Sequence, residues 1–173
     1  MRPSTRSGHS TRSGRRPRAS RRSRRVEWER GTAKRPSDRE LIEAAKRARL
    51  KAYAPYSKFR VGAAVLTADG QVFTGANVEN VSYPVSLCAE RVAIHQAVAA
   101  GHRDLRTVAV VADGKEPAMP CGACRQVMAE FGVRKVIVAT PNGRTRVRSL
   151  RQLLAEPFLP ERLLGKAKGG RRS

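Results

Sequence analysis

Apolar residues recur at helical spacing near the start of the predicted folded region. Four of them lie three or four residues apart: Leu41, Ala44, Ala45 and Ala48. Just before them, Ser37 and Glu40 have the spacing of a capping box, in which each residue satisfies a free donor of the other at a helix start. We therefore predict a helix from Ser37 to about Ala52.

Short apolar runs between turn residues predict five strands. They cover residues 60–67, 71–76, 107–112, 135–139 and 144–148. Asp69-Gly70 predicts a two-residue hairpin turn between the first two strands, and Asn142-Gly143 predicts a turn between the last two. The third run is almost wholly apolar, as in the middle of a sheet, whereas alternating charges in the fifth predict an exposed edge strand.

Three further helices are expected in the second half of the chain. They run from Cys88 to Ala100, from Pro120-Cys121 to Gly132, and from Ser149 onward. Gly101 would close the first of these helices, and Gln152 would be the capping partner of Ser149. Strands that alternate with helices indicate an α/β fold with a mixed, mostly parallel five-stranded sheet, covered on both faces and carrying the early hairpin as an antiparallel edge.

The positive charge is concentrated at the two ends of the chain. The net charge is +22; residues 1–35 hold 13 basic and 2 acidic residues, and residues 161–173 hold 5 basic and 1 acidic residue. Residues 1–35 are mostly Arg, Ser, Gly and Pro, which bury too little apolar surface to offset the entropy lost on ordering. We expect a disordered Arg/Ser-rich extension over 1–35, a folded domain over 36–160 and a basic flexible tail over 161–173.

Two roles remain open for the extension. It could be a tail without function, or it could attract RNA or DNA without sequence preference and in a salt-dependent manner. Its paired arginines are not followed by an apolar segment of the length found in export signals, and no run of 18 apolar residues predicts a membrane span.

All three cysteines fall at predicted helix starts. Cys88 opens Cys88-Ala89-Glu90, and the other two lie in Pro120-Cys121-Gly122-Ala123-Cys124. A helix N-terminus favours thiolate over thiol, and cysteines three residues apart share one helix face. Three protein ligands leave the fourth position of a zinc ion open, which indicates catalysis. The odd count and metal-like spacing favour a reducing compartment, so we expect a cytoplasmic protein.

Simpler explanations exist for these residues. The cysteines could be small buried hydrophobic residues, which accounts for one cysteine but not for two matched patterns at helix starts. A closed structural site would need a fourth ligand, and none of His9, His95 and His102 is well placed. Glu90 could be an exposed first-turn glutamate favoured by the helix dipole; beside three cysteines we predict instead that it carries protons during catalysis.

Three thiolates over-neutralise a zinc ion and make water at the metal a weaker acid. Lowering the pKa of such a water from about 9 to about 7 takes roughly 2.7 kcal/mol, whereas one helix dipole supplies only about 0.3–1 kcal/mol. We therefore predict a cation next to the thiolates. Arg91 is the preferred candidate because it is nearer the single ligand, and Arg125 is the second; either could instead be a solvated helix residue.

With these residues in place, the chain resembles cytidine deaminases of the short, three-cysteine, homotetrameric type. The resemblance runs from about Ser37 to Phe158. Its most specific blocks are Ala54-Pro55-Tyr56-Ser57-Lys58-Phe59, Val61-Gly62-Ala63-Ala64, Asn77-Val78-Glu79-Asn80, Cys88-Ala89-Glu90-Arg91 and Pro120-Cys121-Gly122-Ala123-Cys124-Arg125-Gln126. It implies a three-layer α/β/α fold and hydrolytic deamination of free cytidine and deoxycytidine in pyrimidine salvage.

The resemblance also implies the residues of the site. One zinc ion per chain would be held by the three cysteines, with Glu90 as the catalytic residue. Asn77 and Glu79 would hold the ribose hydroxyls, Phe59 would lie against the pyrimidine, and the backbone of Ala89 would contact the base. Taken alone, residues 77–80 are typical of any polar loop.

In this family neighbouring subunits complete each pocket. Tyr83 and Phe158 match positions that help to close it, although Phe158 could also be plain core packing. The chain departs from the family pattern at Ala76, where a cysteine is common, and in its basic ends, which have no counterpart in the family core.

Two other functions compete with this interpretation. One is deamination of another small aminopyrimidine, such as a nucleoside antibiotic, against which Asn77 and Glu79 argue. The other is nucleic-acid binding or editing, suggested by the charge. Editing deaminases typically present His as the first ligand and need aromatic stacking near the pocket, whereas aromatic residues are 5% of this chain and its charge lies mostly at the ends.

Overall fold

A computed structural model of the chain describes residues 35–164. Its elements are α1 (Asp38–Arg49), β1 (Val61–Thr67), β2 (Val72–Ala76), α2 (Ala89–Ala99), β3 (Leu105–Ala112), α3 (Gly122–Glu130), β4 (Lys135–Ala139), β5 (Thr145–Ser149), α4 (Leu150–Leu153) and α5 (Pro160–Leu164). The predicted extension lies outside the described residues except for Arg35, and so does the predicted tail beyond the end of α5. Within 35–164, no helix has both the length and the apolar character needed to cross a membrane.

The five strands form one mixed sheet in the order β2-β1-β3-β4-β5. The prediction of a mixed five-stranded sheet is confirmed, but the expectation that it is mostly parallel is wrong. Only β3 and β4 pair in parallel; β1 is antiparallel to both β2 and β3, and β4 is antiparallel to β5. The reason is that β1 is inserted between the two strands that α2 connects, so their common direction produces no parallel pair.

Alternate side chains of the central strands face opposite sides of the sheet, as strand geometry requires. On one face, residues such as Ala64, Ala109 and Ile137 pack against α1. On the other face, residues such as Val65, Val108 and Val136 share a core with α2 and α3. The three-layer α/β/α architecture is thereby confirmed, and α2 and α3 lie on the same face.

Both predicted capping boxes are present. The backbone N–H of Ser37 donates to the Glu40 carboxylate at 2.7 Å, and the Glu40 N–H donates to the Ser37 hydroxyl at 3.3 Å. Ser149 and Gln152 exchange the equivalent bonds at 2.9 and 3.3 Å. These bonds satisfy donors that a helix start leaves free, which makes these two helix starts readable from sequence.

The hairpin between β1 and β2 differs from the prediction. The N–H of Thr67 donates to the carbonyl of Gln71 at 3.0 Å, so three residues, 68–70, form the turn rather than two. Gly70 has a φ of 91°. A three-residue turn that ends on a glycine in the left-handed region is the next most common hairpin type, and its sequence also contains Asp-Gly.

Helix α1 lies unusually close to β1 at Gly62. A Cβ atom on Gly62 would be 2.1 Å from the carbonyl oxygen of Ala45 and 2.3 Å from the backbone nitrogen of Arg49. Both neighbours are backbone atoms of a packed helix and cannot rotate away. The glycine therefore sets how closely this helix approaches the sheet.

We expect Gly62→Ala to destabilise the protein by about 3 kcal/mol or more, because overpacking against backbone forces the helix to move. Gly70→Ala is the matched control, since its Cβ would meet nothing within 4 Å and only its left-handed backbone is strained, at about 1–2 kcal/mol. Urea unfolding at fixed zinc concentration measures both. Equal losses would contradict the close-approach explanation.

Candidate metal centre

The three cysteines come together at the starts of two helices. Cys88 is the N-cap of α2 and Cys121 is the N-cap of α3, with Cys124 three residues into the same turn. The three sulfur atoms lie within 4.8 Å of one another, and Cys88 Sγ is 3.9 Å from Cys121 Sγ. Pro120 precedes the N-cap of α3, so the predicted start of this helix at Pro120-Cys121 is one to two residues early.

The sulfur positions fit a tetrahedral zinc ion. With Zn–S bonds of about 2.3 Å, two ligands on a tetrahedron are separated by about 3.8 Å, close to the observed distance between Cys88 and Cys121. Cys124 is buried, Cys88 is half-buried and Cys121 is exposed. The explanation as three buried hydrophobic residues is therefore wrong, since only Cys124 is buried.

Hydrogen bonds within the cluster separate the acidities of its thiols. Hydrogen bonds from Cys124 and Cys121, with further help from the charge and hydrogen bond of Arg91, lower the pKa of Cys88 to about 5. The hydrogen bond between Cys124 and Cys88, together with burial, raises the pKa of Cys124. Because zinc binds thiolates, loading this cluster releases protons.

The two candidate arginines occupy different surroundings. Arg91 is part-buried, lies within hydrogen-bond reach of Cys88 and donates through Nη2 to the carbonyl of Ser86 at 2.7 Å. Arg125 donates instead to two backbone carbonyls, through Nε to Pro120 at 2.8 Å and through Nη1 to Leu153 at 2.9 Å. The structure therefore places Arg91 beside the sulfur cluster, whereas Arg125 ties the start of α3 to α4.

Glu90 lies in the first turn of α2 and is only 5% exposed. Burial raises the pKa of its carboxyl group to about 7, and the charge of Cys88 acts in the same direction. Its side chain also lies within hydrogen-bond reach of Cys124. The alternative of an exposed first-turn glutamate is wrong, and a carboxyl group with a pKa near neutrality is suited to both accepting and donating a proton.

A cavity of about 530 Å³ adjoins the sulfur cluster. Its lining includes two of the cysteines, Cys88 and Cys121, together with Glu90. The other predicted site residues on its wall are Phe59, Asn77, Glu79 and Ala89. Six of the predicted metal and substrate-binding residues therefore share one cavity wall with Glu90. Cys124 is buried, and its sulfur lies within 4.8 Å of the sulfurs of the two cysteines on that wall.

The polar residues of this wall also form hydrogen bonds that hold its chain segments together. The Asn77 side chain accepts from the Val61 N–H at 2.8 Å and donates to the Phe59 carbonyl at 2.9 Å. The Glu79 carboxylate accepts from the Tyr56 N–H at 2.9 Å and from the Ser57 hydroxyl. Ser57, whose Oγ also accepts from the Phe59 N–H at 3.0 Å, was not among the predicted site residues. Its only signal in the sequence was its place in the Ala54-to-Phe59 block.

Tyr83 and Phe158 do not line this cavity. Tyr83 is 69% exposed in a 3-10 turn and meets Tyr56 edge to face at 5.9 Å. Phe158 is 61% exposed, and its backbone exchanges two hydrogen bonds with the Gln126 side chain. Phe158 is therefore not a core residue, and both rings are available to another molecule.

A family model described as the cytidine and deoxycytidylate deaminase zinc-binding region matches residues 35–140. The chain is similar to the cytidine deaminase of Halalkalibacterium halodurans, with 49% identity over 123 residues that make up 70% of this chain and 93% of that protein.

A second relative and a solved structure have comparable sequence identity to this chain. The cytidine deaminase of Sporosarcina psychrophila is 46% identical over 126 residues, 72% of this chain and 93% of that protein. The crystal structure of cytidine deaminase from Burkholderia pseudomallei has a TM-score of 0.68 and 51% sequence identity, and the match covers 71% of this chain and all of that one.

We expect the purified protein to contain one zinc ion per chain. Cys121→Ser should lose most of this zinc, because only two thiolates would remain and the position of the third ligand is exposed to solvent. His95→Ala is the control, since His95 is an exposed residue of α2 and should keep its zinc. Metal analysis by mass spectrometry measures both. Zinc loss in His95→Ala would show that the ligand set is wrong.

Proposed function

The chain belongs to the cytidine and deoxycytidylate deaminase family, and we propose that it hydrolyses free cytidine and deoxycytidine to uridine and deoxyuridine with release of ammonia. The observation that carries this proposal is the burial of Glu90 beside three zinc-binding thiols on the wall of a cavity. That cavity also presents an amide and a second carboxylate, from Asn77 and Glu79. Such a wall suits a small molecule that carries a diol.

Cys88, Cys121 and Cys124 would hold the zinc ion, which when bound would supply a Lewis acid that makes water nucleophilic near neutral pH. Glu90 accepts a proton from the attacking water and donates it to the ring nitrogen of the pyrimidine. After water has added to the carbon that bears the amino group, Glu90 transfers the second proton to that group, and ammonia leaves. The raised pKa of Glu90 allows one carboxyl group to perform both transfers.

Arg91 compensates the charge of the three thiolates in this proposal. Its guanidinium lies against Cys88, which reduces the negative charge that the metal site presents to water. Arg125 is assigned a supporting role, because its hydrogen bonds to the backbone of Pro120 and Leu153 fix the loop before Cys121. Neither arginine needs to touch the nucleoside.

In this proposal the nucleoside is bound by residues of the cavity wall. Hydrogen bonds from Ser57 and from backbone N–H groups lower the pKa of Glu79, so its carboxylate is ionised and accepts a ribose hydroxyl. Asn77 has one amide hydrogen left to donate, because the other is engaged by Phe59. The Phe59 ring contacts the pyrimidine face, and the Ala89 backbone contacts the polar edge of the base.

A homotetramer completes the pocket. Tyr83 and Phe158 are exposed although they are large aromatic residues, which supports their burial against a neighbouring copy. Three residues close to Tyr83 in the chain are also apolar and exposed: Val78, Val81 and Val85. Conversion of cytidine to uridine nucleosides belongs to pyrimidine salvage, and the three free thiols suit the reducing cytoplasm.

We expect the protein to convert cytidine and deoxycytidine, but not a cytosine-containing single strand, because the residues of the cavity match a sugar rather than a phosphate backbone. Loss of the amino chromophore, with ammonia measured in parallel, follows each reaction. Turnover of the strand without turnover of the nucleosides would overturn the proposal.

Glu90→Gln should keep zinc and fold but lose activity by about 100-fold or more, the usual contribution of a positioned general acid–base group. Glu43→Gln is the matched control, since Glu43 is exposed on α1 and should retain full activity. The rate with cytidine and the zinc content are measured on the same samples. A Glu90→Gln protein with more than about a tenth of normal activity would mean that another residue moves the proton.

Deleting residues 1–34 should leave the rate of cytidine deamination unchanged, because none of the proposed site residues lies in this segment. Retention on heparin at increasing salt compares the two proteins for anion binding. A large fall in deamination rate would contradict the assignment of the whole site to the region that follows.

A further inference from the structure

A carboxylate at the end of β3 joins three separate segments of the chain. Asp113 directly follows β3, and its Oδ1 accepts from Arg49 Nη1 at the end of α1. Its Oδ2 accepts from the Arg60 N–H at 3.2 Å and from Arg60 Nε at 3.3 Å. In return, the Asp113 N–H donates to the Arg60 carbonyl at 3.0 Å.

Arg49 is an unusual cation because it is buried. Its side chain is 10% exposed, and its Nε has no hydrogen-bond partner among the described residues. The close approach of α1 to Gly62 carries Arg49 to this position. A buried guanidinium needs an anion beside it, and Asp113 is the carboxylate with which it pairs.

The carboxylate is ionised in these surroundings. Burial by itself raises the pKa of Asp113, but hydrogen bonds from the backbone and side chain of Arg60, with the charges of Arg49 and Arg60, bring it below the usual value. The cluster therefore holds a permanent charge. Its three members are not among the residues that line the cavity.

Two segments that line the cavity are connected along the chain to this cluster. Phe59 precedes Arg60 in the chain and lines the cavity, and its Cε2 is 3.8 Å from the position that a Cβ of Gly114 would take. Beyond Asp113, the loop to the sulfur cluster contributes Ala118 and Met119 to the same cavity. Asp113 therefore anchors both the segment that carries Phe59 and the start of the loop that leads to Cys121.

The segment that carries Phe59 needs such an anchor. The preceding residue, Lys58, has a φ of 58°, a conformation that residues other than glycine adopt at a cost. Asn77 holds the Phe59 carbonyl and the Val61 N–H. The N–H between them, that of Arg60, donates to Asp113. Without this hydrogen bond, the middle of the segment would lose its anchor.

We propose that Asp113, held in turn by the buried Arg49, is a positioning residue that fixes Phe59 against the base of the substrate. This inference rests on the proposed function, since it assigns Phe59 to the pyrimidine face. Asp113 itself does not line the cavity. It acts on Phe59 through Arg60, the next residue in the chain, whose N–H it holds.

Asp113→Asn tests the proposal, because the amide keeps the size of the carboxylate but removes its charge. We expect KM for cytidine to rise on the order of tenfold while kcat stays within about threefold, since the ring binds substrate but transfers no proton. Zinc per chain should be unchanged. The zinc-loaded protein is used throughout.

Asp38→Asn is the matched control. Asp38 forms an ion pair with Lys135 at 2.6 Å at the other end of α1, where both side chains are substantially exposed. This variant should keep the normal KM. If Asp113→Asn also keeps the normal KM, or if it loses zinc and kcat together without a change in KM, the proposal is overturned.

Arg60→Gln provides a second variant that does not disturb the buried charge, because the Arg60 side chain is 48% exposed. It should leave KM nearly normal, since the anchor on this segment is the backbone N–H of Arg60 rather than its guanidinium. A KM effect as large as that of Asp113→Asn would overturn the anchor assigned here.

Amide hydrogen exchange, followed by mass spectrometry on the substrate-free, zinc-loaded proteins, tests the same anchor independently of catalytic activity. Asp113→Asn should speed exchange over residues 56–61 and 113–119, and Asp38→Asn should not. Unchanged exchange in Asp113→Asn overturns the positioning role whatever the activity. A wild-type protein that does not convert cytidine contradicts the proposed function instead, and exchange then decides the role of Asp113.

Discussion

Three sulfur atoms within 4.8 Å of one another impose the main constraint on this fold. As thiolates they would repel one another, so the surroundings have to supply positive charge. Two helix N-termini, Arg91 and a divalent cation provide it. Since Cys88 and Cys121 are both N-caps, α2 and α3 must begin at the same point in space. Their shared core on one face of the sheet holds them there.

The antiparallel insertion of β1 brings the remaining site residues to this point. Val61, the first residue of β1, pairs with Ala112, the last residue of β3, and Gly62 pairs with Ala76, the last residue of β2. The residues before β1, after β2 and after β3 therefore meet at one edge of the sheet. Phe59, Asn77 and Asp113 occupy these three places, next to the starts of α2 and α3.

Features that depend on local chemistry could be predicted from sequence. The capping boxes, the strands and the cysteines at helix starts follow from side chains within a few residues of one another. Glu90 is assigned because it follows Cys88 by two residues in the sequence. Strand direction could not be predicted in this way, because β3 is buried on both faces whether its neighbour is parallel or antiparallel. Asp113 and Arg49 were also missed, since their contact spans 64 residues and neither residue belongs to a recognisable pattern.

The whole arrangement depends on the three cysteines forming an open zinc site. X-ray absorption at the zinc edge of the purified protein reports the number and type of neighbours of the metal. We expect three sulfur neighbours at about 2.3 Å and one oxygen or nitrogen neighbour at about 2.0 Å. Four sulfur neighbours, or fewer than three, would mean that the cysteines do not form such a site.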